Sequence, residues 1–338
     1  MSLPKFVRLN ATFDPIRLEQ DLQAAVKHFR AVSQEGPYHD GSWKGISLRS
    51  VNGDYGNAMA LSSGTSQDTD VLELCPYFKE ILHGFKFQTG VVRVLFLPPG
   101  KKIGEHTDKG FNWNVGMVRL HIPIVTHPDV IFEIGGERCQ WKPGEFWFGD
   151  FNQPHWLHNQ SDIVRVHIVI DCFVDEELLK YFPSDALAAI NAGLEKPMFI
   201  NRRAADLDPA TLAQFEGYVR LPRALSPVPL YGRLVAEKQR LTLQVYGFPV
   251  TFGFNPQGDN RFRYLDREIY FPQGPDSSTL VFSCENPPVN ADMPRIRSLS
   301  PGQRIYVPLQ QAVVFGVMSL YRALARSKQW WRRLASTD

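Results

Sequence analysis

The chain has 338 residues, 37 Lys and Arg against 35 Asp and Glu for a formal net charge of +2, and 43% apolar residues. This is ordinary globular composition, long enough for one large or two smaller domains, and its balanced charge argues against a broad nucleic-acid surface. Cys75, Cys139, Cys172 and Cys284 lie far apart and form no CxxC pair, which argues against a zinc ribbon or disulfide framework and fits a reducing, cytoplasmic setting.

Met1 to Leu9 lacks the apolar core of a signal peptide. Asp14-Pro15 predicts a helix start, a capping residue followed by proline in the first turn. Leu18, Leu22, Ala25, Val26 and Phe29 then recur at helical spacing. The stretch from Gly36 to Gly64 is rich in turn residues and holds Trp43, and a second helix is predicted from Pro76 to Leu82 with Gly84 as its stop. From Phe87 the period becomes two: Val91–Leu97, Met117–Val125, Val130–Ile134, Glu145–Phe148 and Ile163–Ile170 read as strands. Pro98-Pro99-Gly100 and Lys142-Pro143-Gly144-Glu145 read as turns. Close strands without crossover helices predict an antiparallel sandwich or jelly roll.

After Asp171, Glu176 to Lys196 looks helical. Leu221 to Pro229, with three prolines, reads as a linker or irregular crossing. Arg240 to Phe271 is strand-rich, and Gln310 to Leu334 suggests a terminal helix carrying Trp330 and Trp331. The apolar stretch from Ala312 to Leu324 is broken by Gly316, Ser319 and Arg322. It falls short of the roughly 20 residues that a span requires, so no membrane role is expected.

Six of the nine histidines lie between residues 106 and 167, inside the predicted sheet. In Glu105-His106-Thr107-Asp108 an imidazole and a carboxylate stand two residues apart, and in extended chain such residues point the same way. His155, after Gln153-Pro154, is the candidate third ligand, with His158 as the competing choice. Two histidines and one carboxylate on one face leave open positions, the arrangement of non-haem iron(II) oxygenases. The bland alternative for His106 and Asp108 is a surface loop pair. Arg165, His167 and Val169 share one face of their strand, and a barrel-facing arginine needs an anionic partner. The far carboxylate of 2-oxoglutarate suits it through two parallel hydrogen bonds; a protein carboxylate is the alternative. Arg119 and His121 repeat the pattern on another strand, either as a carboxylate-binding interior or as an ordinary solvated face.

Residues 88–173 resemble the aspartyl/asparaginyl β-hydroxylase family, including the bacterial free-proline hydroxylases grouped with it. The resemblance rests on Leu97-Pro98-Pro99-Gly100, Glu105-His106-Thr107-Asp108, Arg119-Leu120-His121, Gly144-Glu145-Phe146-Trp147-Phe148-Gly149-Asp150, Pro154-His155 and Val164 through Asp171. The N-terminal helix, Gly41-Ser42-Trp43 and Cys75-Pro76-Tyr77-Phe78-Lys79 extend it to roughly residues 10–175. It implies a mainly β fold, a cupin-like double-stranded β-helix of the jelly-roll type with flanking N-terminal helices. It also implies iron(II), 2-oxoglutarate as cosubstrate, and O2. Carried over, His106, Asp108 and His155 hold the metal, and no catalytic residue is expected beyond them. Arg165 grips the distal carboxylate and His121 orients the cosubstrate. Arg119 meets a carboxylate of cosubstrate or substrate, Arg93 contacts substrate, and Trp43 lines the pocket or packs beside it. Unlike the animal aspartyl hydroxylases, which lack the carboxylate ligand, this chain supplies Asp108.

The expected organisation is therefore an oxygenase jelly roll over 1–200 and an appended α+β region over 201–338. The expected activity is hydroxylation of an unactivated C–H bond in an amino acid. The substrate is free, peptide-borne or carrier-bound, with a peptide or carrier as possible partner and no nucleic acid. The alternatives are a metal- and acid-binding jelly roll without turnover, and a cupin-type metalloenzyme that needs no 2-oxo acid.

Overall fold

Asp14 caps the first helix as its chemistry requires: in the computed structural model one carboxylate oxygen accepts the amides of Ile16 and Arg17 at 2.9 and 3.3 Å. The structure describes residues 3–317 apart from 35, 58–65, 109, 196, 197, 199, 202–204, 227, 238, 249, 250, 266, 285–287 and 315. The chain divides into two units, Met1–Asn201 and Arg202–Asp338.

The first unit opens with β1 (Phe6–Thr12) and α1 (Pro15–His28), followed by β2 (Val32–Ser33), β3 (Lys44–Ser50), β4 (Gln67–Asp68), α2 (Val71–Leu74) and α3 (Pro76–Gly84). The strands of the sandwich follow: β5 (Thr89–Leu97), β6 (Lys102–His106), β7 (Met117–Val125), β8 (Val130–Ile134), β9 (Glu137–Arg138), β10 (Glu145–Gly149), β11 (His155–Asn159) and β12 (Arg165–Phe173). The helices α4 (Glu176–Leu179) and α5 (Ser184–Gly193) close the unit, replacing the single helix expected from Glu176 to Lys196. One sheet runs β1-β10-β7-β12-β5-β3-β2, with β4 on β3, and the other runs β6-β11-β8-β9. All these pairings are antiparallel. This is the jelly roll.

The larger sheet has two chemically different faces, because residues i and i+2 share a face. Val118, Leu120, Ile122 and Ile124 of β7 and Val166, Ile168 and Ile170 of β12 point outward into the main core. There they meet Leu18, Leu22 and Ala25 of α1 and Phe78, Ile81 and Leu82 of α3. Burying each large side chain contributes about 1.5–3 kcal/mol, so this layer anchors the sheet. Val26, read as part of the apolar helix face, is 44% exposed instead. Asp21 ties the two helices, accepting the Phe78 amide at 2.8 Å. β3 was not anticipated: it lies inside the segment read as turns.

The opposite face of the sheet looks into the sandwich, over an apolar cluster that includes Leu97, Ile103, Phe132, Trp141, Phe151 and Leu157. Arg93, Arg119, His121, Arg165 and His167 stand on it, each no more than 7% exposed. The solvated-face reading of Arg119 and His121 is therefore corrected: they are interior.

The second unit contains α6 (Pro209–Ala213), then β13 (Gly217–Arg220), β14 (Tyr231–Glu237), β15 (Arg240–Val245), β16 (Thr251–Gly258), β17 (Arg261–Tyr264), β18 (Arg267–Tyr270), β19 (Thr279–Cys284) and β20 (Val289–Ile296). These eight strands form a closed barrel. The expected α+β region is thus a barrel with helical segments, one over residues 301–314. The segment from Leu221 to Pro229 is a loop of this barrel, closed by the Leu221 amide donating to the Leu230 carbonyl. Most of the predicted terminal helix, with Trp330 and Trp331, lies outside the described residues. Among the described residues no helix is long and apolar enough to cross a membrane.

Candidate metal and carboxylate site

His106 ends β6 and His155 begins β11, and the antiparallel register sets the two directly opposite one another. Their rings lie 4.1 Å apart between centroids. Each ring is turned by the same device. His106 Nδ1 lies 2.8 Å from the carbonyl of Gly104, and His155 Nδ1 lies 3.0 Å from the carbonyl of Gln153. A carbonyl only accepts, so each Nδ1 carries the proton and each Nε2 keeps its lone pair. The two Nε2 atoms converge on Asp108, at 3.9 Å from one carboxylate oxygen and 4.0 Å from the other. Asp108 is held beyond the end of β6 by its amide, which donates to the Phe151 carbonyl at 2.8 Å.

One donor atom from each of His106, Asp108 and His155 lies within 4.8 Å of the others. Neutral imidazoles fixed through Nδ1 and a single carboxylate form a donor set that suits a divalent metal with positions to spare. Burial and the neighbouring His106 push His155 down to about 4, so it is an unprotonated donor at neutral pH. Burial alone would raise Asp108; Arg119, with His155 and His106 behind it, more than offsets this and holds it below the usual carboxylate range. His158 lies three residues along β11 and bonds Gln160 at 3.1 Å. It is not in the cluster.

The cluster opens into a cleft whose lining includes Trp43, Arg119, His121, Phe132, Phe151 and Arg165. Arg165 is 3% exposed. Among the described residues it has no carboxylate partner; its one hydrogen bond reaches His167 Nδ1 at 2.9 Å, and its Nε has none. Burial pushes it down to about 9. His121 and His167 face each other at 3.3 Å through Nδ1, and the Nε2 of each is buried without a partner. Burial and the charge of Arg165 hold both far below the usual histidine range. Unmet buried polar atoms cost about 1–3 kcal/mol each, so this group is built for a polar, anionic guest.

Arg119 and Arg93 behave differently. Arg119 Nε and Nη2 grip Asp171 at 2.7 and 3.2 Å, while Nη1 bonds Asp108. Arg93 reaches the same Asp171 at 3.6 Å and donates to Gln34 at 2.8 Å. Arg119, expected to meet a cosubstrate or substrate carboxylate, lines the cleft and bonds two protein carboxylates, Asp108 and Asp171. Arg93, expected to contact substrate, is buried between Asp171 and Gln34, and its Nε has no partner among the described residues. Trp43 both lines the cleft and packs against the interior apolar cluster, so the two readings coincide.

Two participants were missed. Asp171, fully buried, lies opposite Arg119 in the β12–β7 register. The alternation Arg165, His167, Val169, Asp171 carried that signal. Tyr38 stacks on His106 at 4.4 Å and 16° between planes. It sits in a turn-rich loop without periodicity, where no pattern marks it.

The first unit is thus a jelly roll carrying a two-histidine, one-carboxylate cluster beside a buried arginine that has no carboxylate partner among the described residues. Residues 12–174 match the family described as aspartyl/asparaginyl beta-hydroxylase. That span lies within the first unit, which is similar to this family. No curated protein matches the chain. Among solved structures, a viral collagen prolyl hydroxylase from Paramecium Bursaria Chlorella virus-1 is 10% identical, covers 50% of this chain and 95% of its own, with a TM-score of 0.32. A prolyl hydroxylase from Trichoplax adhaerens is 11% identical over 50% of this chain and 83% of its own, with a TM-score of 0.35. A predicted oxalate decarboxylase from Thermotoga maritima is 19% identical over 28% and 74%, with a TM-score of 0.21. Likenesses this low assign no residue a role here.

Proposed function

We propose that this chain is an iron(II)- and 2-oxoglutarate-dependent hydroxylase acting on an unactivated C–H bond of an amino acid, free or within a peptide or carrier-bound substrate. The observation that carries the reading is Arg165: a buried guanidinium with no acid partner, in the same cleft as His106, Asp108 and His155. A metal site alone does not need it. A 2-oxo dicarboxylate does, since one end must meet the metal and the other an anion anchor.

In this reading His106, Asp108 and His155 hold the iron. Bound with 2-oxoglutarate and O2, iron supplies the conversion of C–H to C–OH, with succinate and carbon dioxide as the other products. The remaining work belongs to the chain. Gly104 and Gln153 carbonyls keep each Nε2 available as a donor. Arg119 restrains one Asp108 oxygen. Arg165 binds the distal carboxylate, and His121 faces the cosubstrate. Trp43, Phe132 and Phe151 keep water from the cleft, which strengthens each charged contact inside it.

The test is incubation of the purified chain with iron(II), 2-oxoglutarate and O2, with succinate measured and candidate amino acids and peptides examined for a gain of one oxygen. Succinate from the wild type and not from Asp108→Ala is expected. A wild-type chain that binds metal but releases no succinate with any candidate would leave a binding protein instead.

A further inference from the structure

His106 and His155 are held by different amounts of backbone. His155 begins β11, whose register sets it opposite His106 on one side and Ile134 of β8 on the other. Its ring is buried and meets Phe151 edge-on, at 4.9 Å and 84°. His106 ends β6, the edge strand of its sheet, and among the described residues β6 pairs with β11 alone. The pairing is also irregular there. His155 stands opposite His106 but Leu157 opposite Ile103, so Gly104 and Glu105 of β6 face the single Trp156. A bulge of this kind interrupts the ladder beside the ligand. The Gly104 amide donates instead to the carbonyl of Tyr38 at 2.7 Å.

Tyr38 meets the same ligand a second time. Its ring stacks on that of His106, and the His106 side chain is 7% exposed although it stands at a sheet edge. Gly104 is also the residue whose carbonyl faces His106 Nδ1. Tyr38 therefore braces the ligand through its ring and through the backbone that orients that ring. The loop carrying Tyr38 is fastened in turn. Lys101, just before β6, pairs with Asp40 at 2.9 Å; Asp40 accepts the Ser42 amide at 2.9 Å, and Ser33 donates to the Gly41 carbonyl at 3.2 Å. Tyr38 itself is 42% exposed and belongs to neither apolar cluster described above, so core packing does not account for it. Aromatic stacking favours such a pair by roughly twofold to tenfold beyond the area it buries. The attraction strengthens when the imidazole donates to a cation and its face gains positive charge.

We propose that Tyr38 is a positioning residue of the metal centre, holding His106 in its ligating orientation from the side on which β6 has no neighbouring strand. The proposal rests on the metal-binding part of the reading above. Tyr38 acts through His106: with the ring fixed beforehand, a cation need not order it on binding, and the outer flank of the ligand is kept from water. His155 needs no such residue, because strands on both sides and Phe151 already hold it.

The experiment is titration of the metal-free full chain with cobalt(II), read by calorimetry and by the visible bands of the bound ion, with release into excess chelator timed separately. Tyr38→Ala should bind cobalt about tenfold more weakly and release it correspondingly faster. Its urea midpoint without metal should stay at the wild-type value, because the side chain is exposed and outside both apolar clusters. Tyr38→Phe keeps the flat ring and should bind within about twofold of the wild type. His106→Ala is measured beside them. A wild type that binds no cobalt, or a His106→Ala chain that binds it as the wild type does, would remove the metal reading and this proposal together. Affinity lost in His106→Ala but unchanged in Tyr38→Ala would overturn the role of Tyr38 alone. So would a weakening in Tyr38→Ala that comes with a lowered urea midpoint and is not restored in Tyr38→Phe, because Tyr38 is then a structural residue.

Discussion

Arg165→Met separates a ligand anchor from a structural residue with opposite signs in two measurements. Arg165 is buried, lacks a carboxylate partner and is pushed from 12.5 to about 9 by that burial. The charged form therefore carries uncompensated desolvation on the order of a few kcal/mol. Methionine keeps an apolar stem of similar length, removes the charge, and gives up one hydrogen bond to His167, worth about 1–2 kcal/mol. The net expectation is a gain in unfolding free energy of about 1–3 kcal/mol, as when buried charges are replaced by apolar groups. Binding should move the other way: losing a bidentate charge-assisted contact weakens 2-oxoglutarate by roughly tenfold to hundredfold or more. The assays are urea unfolding without ligand and calorimetric titration of 2-oxoglutarate under anaerobic conditions with metal present. Arg165→Lys should bind weakly without the gain in stability. A destabilised Arg165→Met chain with unchanged 2-oxoglutarate affinity would refute the reasoning and make Arg165 structural.

Two other perturbations follow from the buried charges. Arg119→Gln leaves the fully buried Asp171 with only Arg93 at 3.6 Å; breaking such a pair should cost about 3–5 kcal/mol in urea unfolding, and a loss below about 1 kcal/mol would contradict the network. His121 and His167 are held neutral in the fold while their unfolded forms titrate near 6.5. Below that value the unfolded chain binds more protons, so stability falls with pH. Between pH 7.5 and 5.5 the pair predicts a loss of about 2.5 kcal/mol, which His121→Gln with His167→Gln should largely remove; an equal fall in both proteins would show that the pair does not titrate on unfolding.

Much of the first unit was legible because its physics is local. Met117–Val125 carries Val118, Leu120, Ile122 and Ile124 at alternate positions, Val130–Ile134 is rich in β-branched and aromatic residues, and the strands have those bounds. Asp14-Pro15 starts α1 because a cap and a proline act on the residues beside them. β3 was hidden because Gly45, Ser47 and Arg49 occupy one face of a strand that sits among turn residues. The cluster of His106, Asp108 and His155 was legible through a two-residue spacing and a later histidine. The partners of Arg93 and Arg119 were not, since nothing short of register sets Asp171 opposite Arg119. Barrel closure in the second unit was equally hidden: it requires β13 and β20 to pair, with Tyr218 opposite Ile296.

The central claim is that His106, Asp108 and His155 hold an iron to which 2-oxoglutarate binds with Arg165 as its anchor. Anaerobic addition of iron(II) and then 2-oxoglutarate, followed by visible absorption, tests it directly. Chelation of iron(II) by a 2-oxo acid produces a charge-transfer band. The account predicts that band in the wild-type chain, its loss in His155→Ala and Asp108→Ala, and its appearance only at higher 2-oxoglutarate in Arg165→Lys. No band in the wild type, or an undiminished band in His155→Ala, would contradict it.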